Sequence, residues 1–373
     1  MRILHISNTN INFDNRILKE LESLESVNYY HLFAIGIYTD ENWIDSKTTK
    51  RTEIKTIYLI SNNFKILPRA LQYFFIIIEL TFKLLINGIK FKPNIVHCHD
   101  TMVLPAGILI KFFLNVKLIY DAHELESNKH GQNKILSKAT YLIEYFSWHR
   151  IDYFITVSKS INDWYMKKLG DKPSKIILNS PVQDETTRFE KNYFHDKFKI
   201  KEERLIFVYI GALAEGRAID LIVEAFRSSN VSSHVVFIGL GSMHSFVADS
   251  ARSCDKIHLH SPVAHEKVVP LISSADIGLC LIENSSLSDF YCLPNKLFEY
   301  AFSGIPILAS KFPDIEFIVE KYNLGFTCNL DVVSIIDEIL KIEKEKPQSI
   351  SSDISDLSWK SQSDKLLDAY NSL

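Results

Sequence analysis

The sequence has few of the features that mark secreted or disulfide-bonded proteins. Its five cysteines are scattered and odd in number, and no two of them form a CxxC pair. We therefore expect reduced thiols rather than a disulfide framework or a cysteine metal site. The first residues, MRILHISNTN, are typical of a strand and lack the charged region of a signal peptide, so we expect a cytoplasmic protein.

A large excess of charge of one sign is also missing, because the net charge is only −3. The first 180 residues hold more Lys and Arg than Asp and Glu, and the remaining residues show the reverse. No stripe of basic and aromatic residues is present, which argues against a nucleic-acid partner. The basic half instead suggests an anionic partner, either a phospholipid membrane surface or a phosphorylated acceptor.

The longest apolar stretch, LQYFFIIIELTFKLLING at 71–88, is interrupted by Glu79 and Lys83. A membrane span of this length should carry few or no charges, which makes a span the least favoured interpretation. The favoured one is a mostly buried helix that covers a sheet face. An interfacial helix that touches lipid is the alternative, and four basic neighbours support it: Lys65, Arg69, Lys90 and Lys92.

Short apolar runs that suit buried strands alternate with longer stretches of helical periodicity. The first series of runs is RILHIS, NIVHCHD, VKLIYDAHE, DYFITVS and KIILNS, and the second is LIFVYIGAL, HVVFIGLGS, KIHLHSP, DIGLCLI and IPILAS. Strands of this kind separated by helices indicate parallel sheets with both faces covered. Two series predict an α/β protein with two Rossmann-like domains.

The domain boundary is predicted where both periodicities fade, in the polar stretch 180–204. We expect an N-terminal domain over 1–183 and a C-terminal domain over 184–356. A final helix is predicted over 357–373, where apolar residues recur at helical spacing: Trp359, Leu366, Leu367 and Tyr370.

Candidate ligand-binding residues are those that directly follow strands, because parallel sheets bind ligands beyond the carboxyl ends of their strands. Gly211 ends a strand and lets backbone approach a ligand, and Arg217 offers a forked positive charge to phosphate. The helix that opens at Pro294 and Asn295 presents free N–H groups to an anion.

Lys296 adds positive charge to this helix start, and Glu299 lies one turn further on. The Glu299 carboxylate can accept hydrogen bonds from two ribose hydroxyls. The alternative for Glu299 is a solvated glutamate, and the alternative for Arg217 is an ordinary surface arginine. The absence of a GxGxxG motif argues against a dinucleotide.

Several of these segments together resemble the retaining GT-B glycosyltransferases of family four, the glycosyl transferases group 1. LPNKLFEYAFSGIP resembles the donor-site signature, YIGALAEGRAIDLIVEAF the phosphate loop, and HSPVAHEKVVPLISSADIGL the segment whose backbone reads the base. FDNRILKE, VHCHD, YDAHE and TVSKS resemble segments of the acceptor domain.

The resemblance implies two Rossmann-like domains that face each other across a cleft, with the final helix packing back on the first. It implies retaining transfer of a sugar from a nucleoside diphosphate sugar, with a UDP-sugar favoured, without a metal or other cofactor. The acceptor would be a glycan or a lipid-linked glycan in bacterial surface polysaccharide synthesis, such as capsule or O-antigen. The enzyme would then be peripheral on the inner face of the cytoplasmic membrane.

The resemblance also assigns site residues. It implies catalytic roles for His123, Arg217 and Lys296. The donor would be bound by Gly211, Arg217, Val263, Tyr291, Pro294, Asn295, Lys296, Leu297 and Glu299. The acceptor would lie near Asp14, Arg16, His99 and Asp100.

Two positions depart from the family pattern. Tyr291 stands where many members have the first of two carboxylates, for which Asp289 is a substitute, and Ala212 stands where an arginine is common.

The HCHD segment also resembles a metal-binding pattern. A further alternative is that these histidines are structural, above all His97. Two functional alternatives stay open: a sugar-nucleotide epimerase or hydrolase of the same fold, and a non-catalytic sugar-nucleotide-binding subunit.

Overall fold

The structure is a computed structural model that describes residues 1–38, 46–49, 51–64, 66, 68–182, 191–264 and 267–373. The chain divides into two compact units, Met1–Leu178 with Gln362–Leu373, and Asn179–Ser361. The domain boundary predicted at residue 183 lies outside the described residues and stays a prediction. Lys65 also lies outside them.

The first unit is built on an eight-stranded sheet. Its strands are β1 (Arg2–Ser7), β2 (His31–Ile37), β3 (Ser46–Thr48), β4 (Glu53–Ile57), β5 (Ile95–His99), β6 (Lys117–Ala122), β7 (Tyr153–Thr156) and β8 (Ser174–Ile176). They lie in the order β3-β4-β2-β1-β5-β6-β7-β8, and all pairs are parallel except β3 with β4. The strand order reverses between β1 and β5, which is the place where open α/β sheets bind ligands.

Six helices accompany this sheet. They are α1 (Asn15–Glu25), α2 (Arg69–Phe91), α3 (Leu104–Leu114), α4 (Lys134–Trp148), α5 (Lys159–Leu169) and, at the far end of the chain, α14 (Trp359–Asn371). Asp14 caps α1 by accepting a hydrogen bond from the N–H of Ile17, so a predicted acceptor residue has a local structural role. Helix α14 ends in the first unit, where Tyr370 is buried.

Helix α2 buries Leu80 and Leu84 against the protein, partly buries the polar residue Glu79 beside them, and exposes most of its other large apolar residues. Glu79 accepts hydrogen bonds from two backbone N–H groups of the 60–61 turn and pairs with Lys83 at 2.6 Å. These contacts satisfy backbone groups that need partners. Large apolar side chains, among them Phe74 and Phe82, are exposed instead. The prediction of a mostly buried helix is therefore wrong.

The described part of the chain contains no helix with the length and apolar character required to cross a bilayer.

The second unit is built on a six-stranded parallel sheet. Its strands are β9 (Ile206–Ile210), β10 (His234–Ile238), β11 (Ile257–His260), β12 (Ile277–Cys280), β13 (Ile307–Ser310) and β14 (Gly325–Cys328). They lie in the order β11-β10-β9-β12-β13-β14, so the order reverses between β9 and β12. The two sheets confirm the predicted α/β architecture with two Rossmann-like domains.

The helices of the second unit cover both faces of this sheet by alternating with its strands. They are α6 (Tyr193–Phe198), α7 (Ile219–Arg227), α8 (His244–Ser253), α9 (Val268–Ile272), α10 (Leu287–Phe290), α11 (Asn295–Ser303), α12 (Pro313–Lys321) and α13 (Val332–Glu345). Helix α6 corrects the prediction that 180–204 lacks helix, because Phe194 packs into the core there. Helix α11 has its predicted bounds, and Gly304 ends it at φ 80°.

Candidate active site

Asp121, at the end of β6, is the centre of a buried polar cluster in the first unit. Both of its carboxylate oxygens accept hydrogen bonds from Nη2 of Arg16, at 3.1 and 3.0 Å. Burial would raise the pKa of Asp121, but Arg16 and His123 hold it well below its ordinary value. Asp121 is therefore a buried carboxylate that stays charged.

Arg16 is held in this cluster by several contacts. It donates to the carbonyl of Ile177 at 3.0 Å, and its Nε lies 3.1 Å from Oε1 of Glu20. Burial and the nearby charge of Asp121 raise the pKa of Glu20 to about 8, although Arg16 opposes the shift. A guanidinium only 4% exposed supports its neighbours and has little surface for direct contact with an acceptor.

His123 is the member of the cluster that reaches the surface, with 18% of its side chain exposed. Its Nε2 lies 3.4 Å from Oδ2 of Asp121, and its Nδ1 lies 3.8 Å from Oδ1 of Asp100. Burial would lower the pKa of His123, but these two carboxylates raise it to about 9. His123 is therefore an imidazolium near neutral pH.

Asp100 has an unusual backbone conformation directly after β5. Its φ of 65° and ψ of 168° lie in a region that is essentially restricted to glycine, at a cost of about 1–3 kcal/mol. The backbone N–H of Asp100 donates to the carbonyl of Asp121 at 2.9 Å, and Oδ1 of Asp100 accepts from the N–H of His123 at 3.4 Å. The strained residue thus aims its carboxylate at His123.

A chain of hydrogen bonds continues behind His123. Nδ1 of His99 lies 3.3 Å from Nε2 of His123, and Nε2 of His99 lies 2.9 Å from Nδ1 of His5. The hydroxyl of Tyr370 lies 3.1 Å from Nε2 of His5 and 2.6 Å from Nδ1 of His97. Burial lowers the pKa values of all three inner histidines, so we treat them as neutral.

The same cluster contains two groups with metal-ligand spacing. One ligand atom from each of His5, Glu20, His97 and His99 lies within 4.8 Å of the others, and so do atoms of His99, Asp121 and His123. Ligands of a tetrahedral zinc, at about 2.0–2.1 Å from the ion, lie about 3.3 Å apart. The 2.9 Å contact between His5 and His99 is instead a hydrogen-bond distance.

In the second unit, the loop after β9 lies at the switch point. Gly211 has φ 125°, and apart from its chain neighbours no atom of the described residues lies within 4 Å of the place where a Cβ would be, so its backbone is open to a ligand. Glu283, after β12, accepts from the N–H of Ala218 at 3.0 Å and donates its own N–H to the carbonyl of Gly216. These bonds fix the residues on both sides of Arg217.

Arg217 itself is 40% exposed, and its Nη1 lies 4.0 Å from Oδ1 of Asp289. Ser286 holds Asp289 through two hydrogen bonds, at 3.0 and 2.7 Å. Tyr291, two residues further on, is half-buried, as is Val263 after β11. The predicted donor residues of these loops therefore all have accessible surface on the carboxyl side of the sheet.

Helix α11 presents a buried ammonium at its start. Lys296 is 8% exposed, and its Nζ lies 4.0 Å from the centroid of the Tyr209 ring. Nζ has no hydrogen-bond partner among the described residues, and Pro294 supplies no side-chain cap to the helix. A buried ammonium and uncapped N–H groups both require an acceptor, which an anion can provide.

The remaining predicted residues of α11 lie beside this ammonium. Glu299 is one turn inside the helix and 8% exposed, and Leu297 is fully buried in the core. Lys296 and Arg217 both act electrostatically on Cys280 at the end of β12. Burial raises the pKa of the Cys280 thiol to about 11, and both cations oppose this increase. The two predicted cations therefore act on one region.

Sequence reasoning assigned no role to Asp121, although it lies in the YDAHE segment, and it missed five further residues of these two clusters. Glu283 follows a predicted strand and was detectable by the rule that found Gly211. Glu20, His5, Tyr209 and Tyr370 carry no comparable signal, because each reads as an ordinary member of a helix or strand.

Two family descriptions match the chain. Residues 46–180 match Glycosyltransferase Family 4, and residues 204–345 match Glycosyl transferases group 1. Among curated relatives, the chitobiosyldiphosphodolichol beta-mannosyltransferase of Kluyveromyces lactis is 23% identical over 59% of this chain and 56% of its own length. The matches span about half the length of the curated relatives.

Solved structures share the fold over the whole chain. The sucrose-phosphate synthase of Thermosynechococcus elongatus superposes with a TM-score of 0.75 at 13% identity, covering 99% of this chain and 95% of the other. Anabaena HepE in complex with UDP-glucose gives 0.71 at 12% identity and full coverage of both chains. At these identities the likeness concerns the fold, and it confirms the predicted GT-B class.

Proposed function

The chain belongs to the family 4 glycosyltransferases (glycosyl transferases group 1), and from that premise we propose that it transfers a sugar from a nucleoside diphosphate sugar, with UDP-sugar favoured. The observation that carries this proposal is Lys296, a buried ammonium without a hydrogen-bond acceptor among the described residues, at the start of an uncapped helix. A diphosphate supplies the acceptors that this position requires. HepE, which shares the fold, was solved with UDP-glucose.

The proposed donor site uses the predicted residues in separate roles. Lys296, Arg217 and the N-terminus of α11 stabilise the charge that develops on the leaving diphosphate, as preorganised cations and dipoles do in other transferases. Glu299 accepts hydrogen bonds from the ribose hydroxyls. Gly211 lets the backbone approach the phosphates, and the loop at Val263 contacts the base.

The proposed reaction keeps the configuration at the anomeric carbon and uses no metal. Support for the second point is the pair of cations, Lys296 and Arg217, which supply the positive charge that a divalent ion supplies elsewhere. Tyr291 and Asp289 are the proposed contacts to the transferred sugar, with Asp289 held in place by Ser286.

The proposed acceptor site lies on the first unit at the carboxyl ends of β5 and β6. His123 and Asp100 are the partly exposed groups there and are the proposed contacts to substrate. Arg16 and His99 are buried and act through Asp121 and His123, which revises their predicted role from contact to support.

The proposed acceptor is a glycan on a lipid diphosphate carrier in bacterial surface polysaccharide synthesis, including capsule or O-antigen. The name of the yeast relative describes an acceptor of this lipid-linked kind. Helix α3 contacts both α2 and α4, and the three helices expose large apolar side chains: Phe74, Phe82, Ile86, Phe112, Phe113, Tyr145 and Phe146. An apolar groove of about 470 Å³ between α3 and α4 adds to this surface.

An apolar surface of this size indicates contact with a membrane, here as a peripheral protein on the inner face. Exposed lysines near the surface, Lys90, Lys92, Lys134 and Lys138, suit anionic lipid headgroups. The proposal therefore assigns this three-helix surface to the membrane that contains the lipid-linked acceptor.

The test is product analysis by mass after incubation with a panel of sugar nucleotides and lipid-linked acceptors. A sugar transferred to an acceptor supports the proposal. Donor consumption that proceeds equally without any acceptor would indicate an epimerase or hydrolase, and donor binding without turnover would indicate a non-catalytic subunit.

A further inference from the structure

The hydrogen-bonded chain from Tyr370 to His123 contains no gap. Four contacts join it in order: Tyr370 with His97 at 2.6 Å, Tyr370 with His5 at 3.1 Å, His5 with His99 at 2.9 Å, and His99 with His123 at 3.3 Å. The three inner histidines and Tyr370 are buried, so no solvent completes their hydrogen bonds. Each contact must contain one proton.

Only two arrangements of the protons satisfy all four contacts. A neutral imidazole has one donor and one acceptor nitrogen, and the Tyr370 hydroxyl has one proton. If the hydroxyl donates to His97, then His5 donates to Tyr370, His99 donates to His5, and His123 donates to His99. If the hydroxyl donates to His5, every direction reverses and Nε2 of His123 carries no proton.

The geometry favours the first arrangement. Hydrogen bonds donated by O–H are shorter than those donated by N–H, which matches 2.6 Å from Tyr370 to His97 and 3.1 Å from His5 to Tyr370. In this arrangement Nε2 of His97 also carries a proton, and it lies 3.7 Å from the carboxylate of Asp121. The reverse arrangement would point a lone pair at that carboxylate.

The charges around His123 agree with the first arrangement. Asp121 on β6 and Asp100 after β5 lie at 3.4 and 3.8 Å, and both favour a protonated ring. Arg16 on α1 opposes this protonation. Glu20 on the same helix and the two histidines of β5, His97 and His99, are further titratable neighbours, and Nδ1 of His99 lies 3.8 Å from Asp121. The N–H on Nε2 of His123 therefore lies between two acceptors, His99 and Asp121.

We propose that Tyr370, His5 and His99 are positioning residues that keep His123 in its doubly protonated form, with Tyr370 in the terminal helix setting the direction of the whole chain. The role of the His123 charge in sugar transfer rests on the proposed function. The proton arrangement does not depend on that function, so an experiment can contradict one without contradicting the other.

Replacement of Tyr370 by phenylalanine tests the proposal. Without the hydroxyl, the buried N–H on Nε2 of His5 has no hydrogen-bond acceptor. His5 avoids this unsatisfied donor by moving its proton to Nδ1, and His99 must then also move its proton to Nδ1. The N–H on His99 then faces the N–H on His123, which must release its proton. We expect the pKa of His123 to fall by about one to two pH units.

Tyr30→Phe is the matched control. Tyr30 is buried beside the same helix, its ring centroid lies 6.2 Å from that of Tyr370, and its hydroxyl contacts Asn371 at 3.5 Å. This variant removes a hydroxyl from the same interface and leaves the histidine chain intact. We expect no change in the pKa of His123.

The measurement is an NMR titration of histidine-labelled full-length protein, with ¹⁵N shifts that report which ring nitrogen carries the proton and with His123→Asn to assign the signal. Wild-type protein should show protons on Nε2 of His5 and His99. Protons on Nδ1 of these rings, or an unshifted His123 in folded Tyr370→Phe, would overturn the proposal. Stoichiometric metal in the purified wild-type protein would overturn it as well, because ligand nitrogens carry no proton.

Discussion

Lys296→Met separates a ligand-binding role from a structural one, because the two roles predict opposite changes in stability. Methionine keeps the aliphatic length over the Tyr209 ring and removes the ammonium. In the structure Nζ contacts that ring at 4.0 Å and has no hydrogen-bond acceptor among the described residues. The substitution therefore removes a buried charge whose contact with the Tyr209 ring is the favourable interaction that the structure describes for it in the free protein.

The expected magnitudes follow from these contacts. A buried donor without an acceptor destabilises the free protein by about 1–3 kcal/mol, and the cation–π contact returns about 0.5–2 kcal/mol. The net change in the stability of the free variant therefore runs from a loss of about 1 kcal/mol to a gain of about 2.5 kcal/mol, and the midpoints of the two ranges give a gain of about 1 kcal/mol. A hydrogen bond to a charged group contributes about 1.5–3 kcal/mol, so UDP should bind about 10- to 150-fold more weakly.

Calorimetry with UDP measures the affinity, and thermal unfolding without UDP measures the stability. Lys311→Met is the matched control, since Lys311 is 54% exposed and pairs only loosely with Glu316 at 3.3 Å. We expect this control to change neither quantity appreciably. Wild-type UDP affinity in Lys296→Met, or a loss of more than about 1 kcal/mol of stability in its free form, would refute the assignment of Lys296 to the diphosphate.

The remaining predictions concern the donor site and the membrane. Glu299→Ala should weaken the binding of a nucleoside diphosphate by about 2–4 kcal/mol, because two ribose hydroxyls lose a buried charged acceptor; unchanged affinity in calorimetry would contradict this role. Arg217→Ala should lower kcat by about 10²-fold or more in a transfer assay, and Arg217→Lys should recover only part of the loss because lysine lacks the forked geometry; wild-type turnover in Arg217→Ala would identify an ordinary surface residue. The protein should co-sediment with vesicles that contain anionic lipid, less so at high salt. Phe112→Asp, which places a charge on the proposed membrane surface, should weaken this binding. Phe317→Asp, the same substitution at an exposed position of the second unit, should not. No vesicle binding at low salt would refute the membrane assignment.

Much of the fold could be predicted from the sequence because its signals are local. All ten predicted strands are present, since a buried parallel strand is a continuous apolar run whatever lies next to it. Strands β2, β3, β4 and β14 were missed among the described residues; β4 has the sequence EIKTI, in which three of the five residues are polar, so it lacks a continuous apolar run. The start of α11 and its end at Gly304 were readable for the same reason, as capping depends on a few neighbouring residues.

The candidate donor site was also largely predictable. Gly211, Arg217, Lys296 and Glu299 belong to strand-to-helix connections, and the carboxyl edge of a parallel sheet brings such connections together. What the sequence did not reveal is the state of Lys296. Lys296 is buried against Tyr209, which lies on a different element of the fold. Because of this burial, the ammonium lacks a hydrogen-bond acceptor among the described residues.

Helix α2 shows where local pattern fails. Its sequence determines that polar and apolar residues form separate faces, but periodicity does not say which face meets the protein. The backbone N–H groups of the 60–61 turn helped to decide this, because they bind Glu79 and hold it against the protein beside the buried Leu80. Most of the other large apolar side chains of the helix, among them Phe74 and Phe82, were left exposed as a consequence.

The cluster around His123 was decided by tertiary structure alone. The sequence by itself determined that histidines end two neighbouring strands, and nothing local connects them to His5 or to Tyr370, which lies 365 residues from His5. Only the folded sheet and the returning terminal helix bring these groups within hydrogen-bond distance. Their protonation then follows from burial and from the nearest charges, which are properties of three-dimensional neighbours and not of chain order.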